Sequence, residues 1–266
     1  MASQSVPNII YGFHHICFER NGKQVFEEQF KTIKESGLYD ASRTIFCSVL
    51  GNKDNYALPA KYQIIFEATS GKAYERPILE FMQKAAAQRP GKYWYIHTKG
   101  ISHYGTWRAE NVRDWRVYME YFLIKKWQRC VKDLDTYDIA GVQYASNPAH
   151  FSGNFWWARS TYISTNPTNF NYNDYYETEM WLCRGKPSPI GISYHYSYLN
   201  IYDFRYPPEM YEPEEKQQMA IVFSPGISET MCDNGLHSNG LDFVNFAPIK
   251  ERRADNSFFP GTGVTK

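Results

Sequence analysis

His97, Thr98, Lys99 and Gly100 follow directly on the aromatic run Tyr93-Trp94-Tyr95-Ile96 and are the residues of this chain best suited to hold an anion. A strand that stops there presents an imidazole and an ammonium at its carboxyl end, which in an open α/β sheet is the rim of the ligand crevice. Lys99 would supply a compact point charge, and Gly100 would let backbone come close to a phosphate. The same residues also make a plain strand end with a solvated lysine. Their neighbours in the fold decide between the two.

A second group lies in His150-Phe151-Ser152-Gly153-Asn154-Phe155-Trp156-Trp157-Ala158. Ser152, Gly153 and Asn154 can hydrogen-bond hydroxyls, and Trp156 or Trp157 can offer an apolar face, a combination that suits a carbohydrate. It equally makes a tight turn leading into a buried strand with tryptophan as core. The serine is outside any Gly-x-Ser-x-Gly elbow, which argues against a serine hydrolase. A third group is Glu177 and Glu179, just before Met180 and Trp181. On a helix these carboxylates point about 200° apart, so one can enter a crevice while the other is solvated. A carboxyl desolvated beside Met180 and Trp181 would shift up toward the range of a general base. Ordinary helix-surface acids are the competing reading.

Weaker signals complete the inventory. Asp133-Leu134-Asp135 has the acidic spacing of metal sites on nucleotide-sugar enzymes, but it ends a long helix and reads as a helix-terminal charge pair. His195 and His237 are single histidines. His195 is a weak metal-ligand candidate that could reach a crevice. His14 and His15 are consecutive in a strand, so only one can face a given side. Gly22-Lys23 and Gly71-Lys72 lack the glycine spacing of a P-loop.

Alternating strands and helices must position these groups. Short apolar runs predict strands over 8–18, 43–50, 62–66, 93–97, 138–144 and 151–158. Helical periodicity marks 22–37, 74–88, 110–134 and 173–183. In 110–134 the stripe Trp115, Met119, Phe122, Leu123, Trp127 and Cys130 reads as core. Strands alternating with helices point to a mainly parallel sheet covered on both faces. Residues 206–215, with three prolines and several acids, look like a linker or wrapping loop, and the tail from 224 shows little periodicity.

The 266 residues carry a formal net charge of +1, so no global field draws nucleic acid or an anionic membrane. Aromatics reach 17%, with 22 Tyr, more than a core can take, which places some at surfaces or crevices. Cys17, Cys47, Cys130, Cys183 and Cys232 are scattered without a Cys-x-x-Cys pair, which favours reduced buried thiols. The polar start lacks a signal-peptide core, and no run suffices to span a bilayer. These features suggest a soluble protein of a reducing compartment, the cytoplasm.

The order of these motifs resembles a known family. Tyr95-Ile96-His97-Thr98-Lys99-Gly100, a Trp-rich helix, Asp138-Ile139-Ala140-Gly141, the segment from His150 to Ala158 and Glu179-Met180-Trp181 follow one another as in small glycosyltransferases of the GT-A fold. These occur in bacterial polysaccharide loci and large algal viruses. Ser36-Gly37-Leu38-Tyr39-Asp40 and Tyr74-Glu75-Arg76-Pro77 add to a match covering residues 8–200. Chlorovirus enzymes that build capsid glycans, a xylosyltransferase among them, look similar; a viral member would work in the host cytoplasm.

The resemblance implies a GT-A-like (Rossmann-like) α/β fold, a mainly parallel mixed sheet flanked by helices. Residues 1–200 would form the transferase domain, with a nucleotide-sugar half (1–100) and an acceptor half (101–200). Residues 201–266 would be an irregular C-terminal extension wrapping the same domain. It implies inverting transfer from a UDP-sugar (UDP-xylose or another UDP-pentose or UDP-hexose) to a hydroxyl of an oligosaccharide or glycoprotein glycan, in capsid or cell-surface glycan synthesis. Where the family usually carries a metal-binding Asp-x-Asp, this chain has His97-Thr98-Lys99. The expectation is therefore that Lys99 and His97 contact the donor diphosphate without a required cofactor, Mn²⁺ or Mg²⁺ being the alternative. By family position Glu179 is the base, with Glu177 as fallback. Ser152, Gly153, Asn154, Trp156 and Trp157 would line the acceptor side. His14, His15 and Glu67 would lie near the nucleotide, and Arg76 would be a second phosphate contact.

Two other classes compete. A non-catalytic carbohydrate-binding protein on the same fold would leave Glu179 out of the crevice that holds Lys99. A nucleotide-sugar hydrolase would turn over donor without any acceptor.

Overall fold

The computed structural model describes residues 6–52, 56–69, 73–185 and 190–212, together with the backbone of four short strands between 221 and 243. Strands β1 (Ile10–Cys17), β2 (Ser42–Leu50), β3 (Tyr62–Ala68), β4 (Lys92–His97), β5 (Ile139–Gly141), a hairpin of β6 (Tyr144–Ser146) and β7 (Ala149–Phe151), β8 (Trp156–Arg159) and β9 (Gly191–Ser193) follow in chain order. The central sheet runs β9-β5-β8-β4-β1-β2-β3. Pairs β4–β1, β1–β2, β2–β3 and β5–β9 are parallel. The fold is mixed α/β with a mainly parallel sheet flanked by helices.

One expected strand is divided and reversed. Residues 151–158 turn at 153–154 before β8 begins, and β8 is antiparallel to both β4 and β5. A parallel return needs a crossover of a dozen or more residues, and the chain between β5 and β8 holds only the hairpin.

Both faces of the sheet are covered, which is why its central strands are apolar throughout. On one face Phe26 and Ile33 of α1 (Gly22–Glu35), Leu38 of α2 (Leu38–Ala41) and Tyr118 and Met119 of α4 (Ala109–Glu120) pack with Ile16, Ile45, Trp94 and Ile96. On the other, Ile78, Leu79 and Met82 of α3 (Arg76–Ala86) meet Phe13, Phe46, Tyr93 and Tyr95. The helix expected over 110–134 is interrupted. After α4 comes a π-helical turn, Tyr121–Lys125, and then α5 (Trp127–Asp133). The Leu123 carbonyl in that turn accepts the Trp157 Nε1–H at 2.8 Å. Asp133 and Asp135 are the helix-terminal charges expected of them. Asp135 accepts from the buried Lys92 Nζ at 2.5 Å, and Asp133 lies 3.7 Å from Arg129.

After β8 come α6 (Ser160–Ile163) and α7 (Glu177–Met180). The expected helix over 173–183 is thus reduced to α7 and a following 3₁₀ turn, Trp181–Arg184. Tyr206 and Tyr211 are buried against Tyr118, so the chain from 206 to 212 wraps the α4 side. Beyond it, Ile221–Phe223 and Leu241–Phe243 continue the sheet past β9, giving the tail strands its sequence did not suggest. His237 lies in one of the short strands, and Cys232 falls outside the described residues. Cys17, Cys130 and Cys183 are free thiols, and Cys47 is buried in β2. Among the described residues no helix is long and apolar enough to cross a membrane.

Candidate functional site

The carboxyl ends of β1 and β4 open onto a cavity of about 560 Å³. His15 and His97 are register partners across these strands, and Ser48 of β2 partners His15 on the other side. His15 Nδ1 is hydrogen-bonded to Ser48 Oγ at 2.8 Å. Burial lowers the His15 pKa to about 4, with Glu75 opposing and His97 adding to the depression. Its neighbour His14 points to the opposite face, bonded to Gln29 and Tyr62 at 3.1 and 3.2 Å, and burial lowers it to about 3. The pair expected near the nucleotide is therefore split by the strand's alternation, and only His15 reaches the cavity.

These two rings give the fold a pH dependence. Each has a depressed folded pKa, so the unfolded chain takes up protons first as pH falls below 6.5. Stability is complete above that value and is lost as pH drops toward 3–4. The expected loss is a few kcal/mol by linkage. Urea unfolding at a series of pH values between 7.5 and 4 measures it, and a flat profile would contradict these environments.

Past β4 the backbone turns sharply. Thr98 is buried, and its Oγ1 accepts the Cys17 N–H at 2.9 Å, tying the ends of β1 and β4 together. Gly100, at φ +100°, takes the chain through a left-handed turn that L side chains resist. Lys99 Nζ lies 3.8 Å from the centroid of the Trp115 ring of α4, a cation–π contact. Burial draws the Lys99 pKa below the ordinary lysine value, with Glu179 and Glu75 opposing.

Glu179 enters the same cavity from α7. Its Oε1 accepts the Gly153 N–H at 2.6 Å. The neighbours expected for it differ. Trp181 packs in the core against Trp156, with its Nε1 on Pro167 O, so the carboxylate faces Gly153 and Lys99 instead. Gly153 stands at φ +93°, and a Cβ there would come within 2.6 Å of Met119 Sδ and 3.0 Å of Trp115. Gly153→Ala should destabilise the protein by about 1–3 kcal/mol through the backbone alone and disturb the donor that holds Glu179. Thermal unfolding reads this; an unchanged melting temperature would mean the turn relaxes freely.

Glu75 is the site residue the sequence reading did not single out. It stands at the N-cap of α3 but makes no capping bond there. Its carboxylate crosses to the cavity instead, 2.6 Å from His97 Nδ1 and accepting Asn154 Nδ2–H at 2.7 Å. Burial pushes its pKa up, but His97, His15 and Asn154 outweigh that and hold it at about 2. Nothing local marks Glu75: an acid before a helix is commonplace, and its partners lie far along the chain.

Several expected site residues are placed elsewhere. Trp156 and Trp157 are fully buried core, their indole N–H groups donating to Asn154 Oδ1 and Leu123 O, so they offer no face to a ligand. Ser152 lies outside the cavity lining; its N–H donates to Gln143 O at 3.1 Å. Glu177 is buried and not solvated, ion-paired to Arg184 at 2.6 Å, and accepts the Asn171 N–H. Arg76 is buried outside the lining and donates to the carbonyls of Asn171 and Asp174, bracing a loop where a phosphate contact was expected. Glu67 is exposed on β3, also outside the lining. His195 is buried away from the cavity, 3.1 Å from Tyr118 Oη and packed on Phe122.

The Asp-x-Asp metal site of the resemblance finds no counterpart in this donor set. Both Glu75 oxygens are engaged, Glu179 holds a backbone N–H, and the Lys99 ammonium would repel a dication between them. Among the described residues no cluster of three or more His, Cys, Asp or Glu side chains could hold a metal ion. A nucleophilic cysteine is equally unsupported: burial raises the Cys17 thiol, which lines the cavity, above its ordinary pKa.

Fold and site together define a mixed α/β protein with a cation- and carboxylate-lined cavity at the carboxyl ends of its parallel strands. The chain belongs to a family described as a domain of unknown function (DUF8361), whose profile matches residues 15–181. That span contains every cavity-lining residue except Tyr202. No curated protein matches the chain.

Proposed function

We propose that the protein is a GT-A-like glycosyltransferase that moves a sugar from a UDP-sugar to a glycan hydroxyl with inversion, in capsid or cell-surface glycan synthesis. One observation carries this: Lys99 and Glu179, from opposite parts of the chain, line one cavity at the carboxyl ends of β1 and β4. A binding protein needs no base beside its cationic seat. In the proposed reaction the acceptor oxygen attacks C1 of the donor sugar, and the C1–O bond to the β-phosphate breaks with its electron pair going to the phosphate oxygen. Glu179 takes the hydroxyl proton. Lys99, with His97, offsets the charge that grows on the leaving diphosphate in a site partly shielded from water.

This reading needs no metal at the diphosphate. Activity in the presence of a chelator is therefore the expected result. Loss of activity in chelator, restored only by Mn²⁺, would overturn the assignment of Lys99 and His97. A panel of nucleotide sugars tests the function itself: the true donor binds only the folded state and should raise the melting temperature most. A flat response to every donor would count against a transferase.

A further inference from the structure

The aromatic faces that the sequence placed on Trp156 and Trp157 are supplied at the cavity mouth by other residues. Tyr74, Tyr175 and Tyr176 line the cavity and remain 38%, 59% and 64% exposed. The Tyr74 and Tyr175 rings meet edge-on at 5.2 Å, and Tyr175 meets Tyr176 at 5.3 Å. They form one contiguous cluster lining the same cavity as Glu179, with Tyr175 and Tyr176 only a few residues before it in the chain.

The chain spends buried charge to hold this cluster in place. Arg76, fully buried, donates through Nη2 to Asp174 O at 2.6 Å and Asn171 O at 3.3 Å. Its guanidinium lies 4.9 Å from the Tyr172 ring and 5.8 Å from the Tyr74 ring. Buried Glu177 accepts the Asn171 N–H from the other side, and Asp174 Oδ1 accepts the Tyr176 N–H at 2.9 Å. Tyr74 itself has φ +48°, a backbone region that bulky residues avoid. Exposed aromatics on a braced, strained support lining a cavity are a binding surface, since nothing in folding alone repays the arrangement.

We propose that Tyr74, Tyr175 and Tyr176 form a stacking platform for a pyranose ring of the acceptor glycan. This rests on the transferase reading given above. A sugar ring has one face of C–H groups that lies against an aromatic ring, while its hydroxyls need polar partners at the edge. Three phenols supply both. Desolvation pushes the Tyr175 hydroxyl up to about 12, so it stays a neutral donor at working pH. The platform flanks Glu179, where the acceptor hydroxyl must be, whereas Glu19, Arg20 and Leu50 line the cavity from the β1 and β2 ends.

The test uses the full chain and two variants, Tyr175→Ala/Tyr176→Ala and Tyr175→Phe/Tyr176→Phe. Saturation-transfer NMR with the methyl glycosides of xylose, glucose and galactose reads sugar contact without requiring turnover. Calorimetric titration with UDP reads the nucleotide side. Wild type should transfer saturation to at least one glycoside, the alanine variant should weaken that contact roughly 10-fold, and the phenylalanine variant should keep most of it. UDP affinity should not follow the alanine changes. Absence of transfer to every glycoside, or a signal insensitive to the alanine changes, would overturn the platform. So would weakened UDP binding in the alanine variant, which would make these tyrosines a nucleobase seat. Failure of wild type to bind UDP while it contacts sugars would instead remove the transferase reading and leave the platform standing.

Discussion

Glu179→Gln should leave the fold intact and lower transferase turnover by about 10²- to 10⁴-fold, the usual contribution of a positioned general base. The amide keeps the shape of the carboxylate, and its oxygen can still accept the Gly153 N–H that holds Oε1 at 2.6 Å. What it loses, on the proposed mechanism, is the ability to take a proton from the acceptor hydroxyl. UDP binding needs no proton transfer, so although the carboxylate interacts with Lys99 the variant should change UDP affinity far less than turnover. Steady-state rates with the preferred donor, read beside UDP titration, separate the two effects. Near-normal turnover in a folded Glu179→Gln protein would remove this residue from the chemistry.

Lys99→Met should cost about 10²- to 10³-fold in turnover, the scale seen when one donor to a developing negative charge is removed. Methionine keeps the unbranched stem, so the contact with Trp115 can persist as packing while the charge is lost. Lys99→Arg is not expected to restore the rate. A planar guanidinium differs in size and hydrogen-bonding geometry from the ammonium now seated 3.8 Å from that ring. UDP affinity should fall in Lys99→Met, and the fall should be smaller in high salt because screening already weakens the wild-type attraction. Unaltered UDP binding would show that the diphosphate sits elsewhere.

The two effects are not expected to add. Lys99 and Glu179 interact through their charges, and residues sharing one site give coupled losses in place of independent ones. The double variant Lys99→Met/Glu179→Gln should therefore lose less than the product of the single losses.

Strands β1 to β4 and helices α1 and α3 were legible from the chain because apolar runs and helical periodicity are local properties. The end of β4 was legible too: a histidine, a lysine and a glycine after an aromatic run stand out by type. Residues 173–183 misled, because they read as one helix, whereas only Glu177–Met180 is α-helical, a 3₁₀ turn follows it, and Tyr175 and Tyr176 ahead of it stand exposed. Trp156 and Trp157 misled in the opposite sense. Their size suits a sugar face, but β8 lies between two strands in a sheet packed on both sides, which buries every one of its side chains.

Sequence by itself determined which groups exist to do chemistry and on which elements they ride. His97 and Lys99 had to lie at or just past a strand end, and of His14 and His15 only one could share a face with His97. Tertiary structure alone decided which of them meet. Glu75 acquires its partners only when the start of α3 packs beside the end of β4 and the turn at Asn154 closes over both. Arg76, beside it in the chain, is drawn into bracing the 171–174 loop instead. The physical reason is that propensity and periodicity act over a few residues, whereas a carboxylate's charge state and a lysine's partner are set by whatever the folded chain brings within a few ångströms.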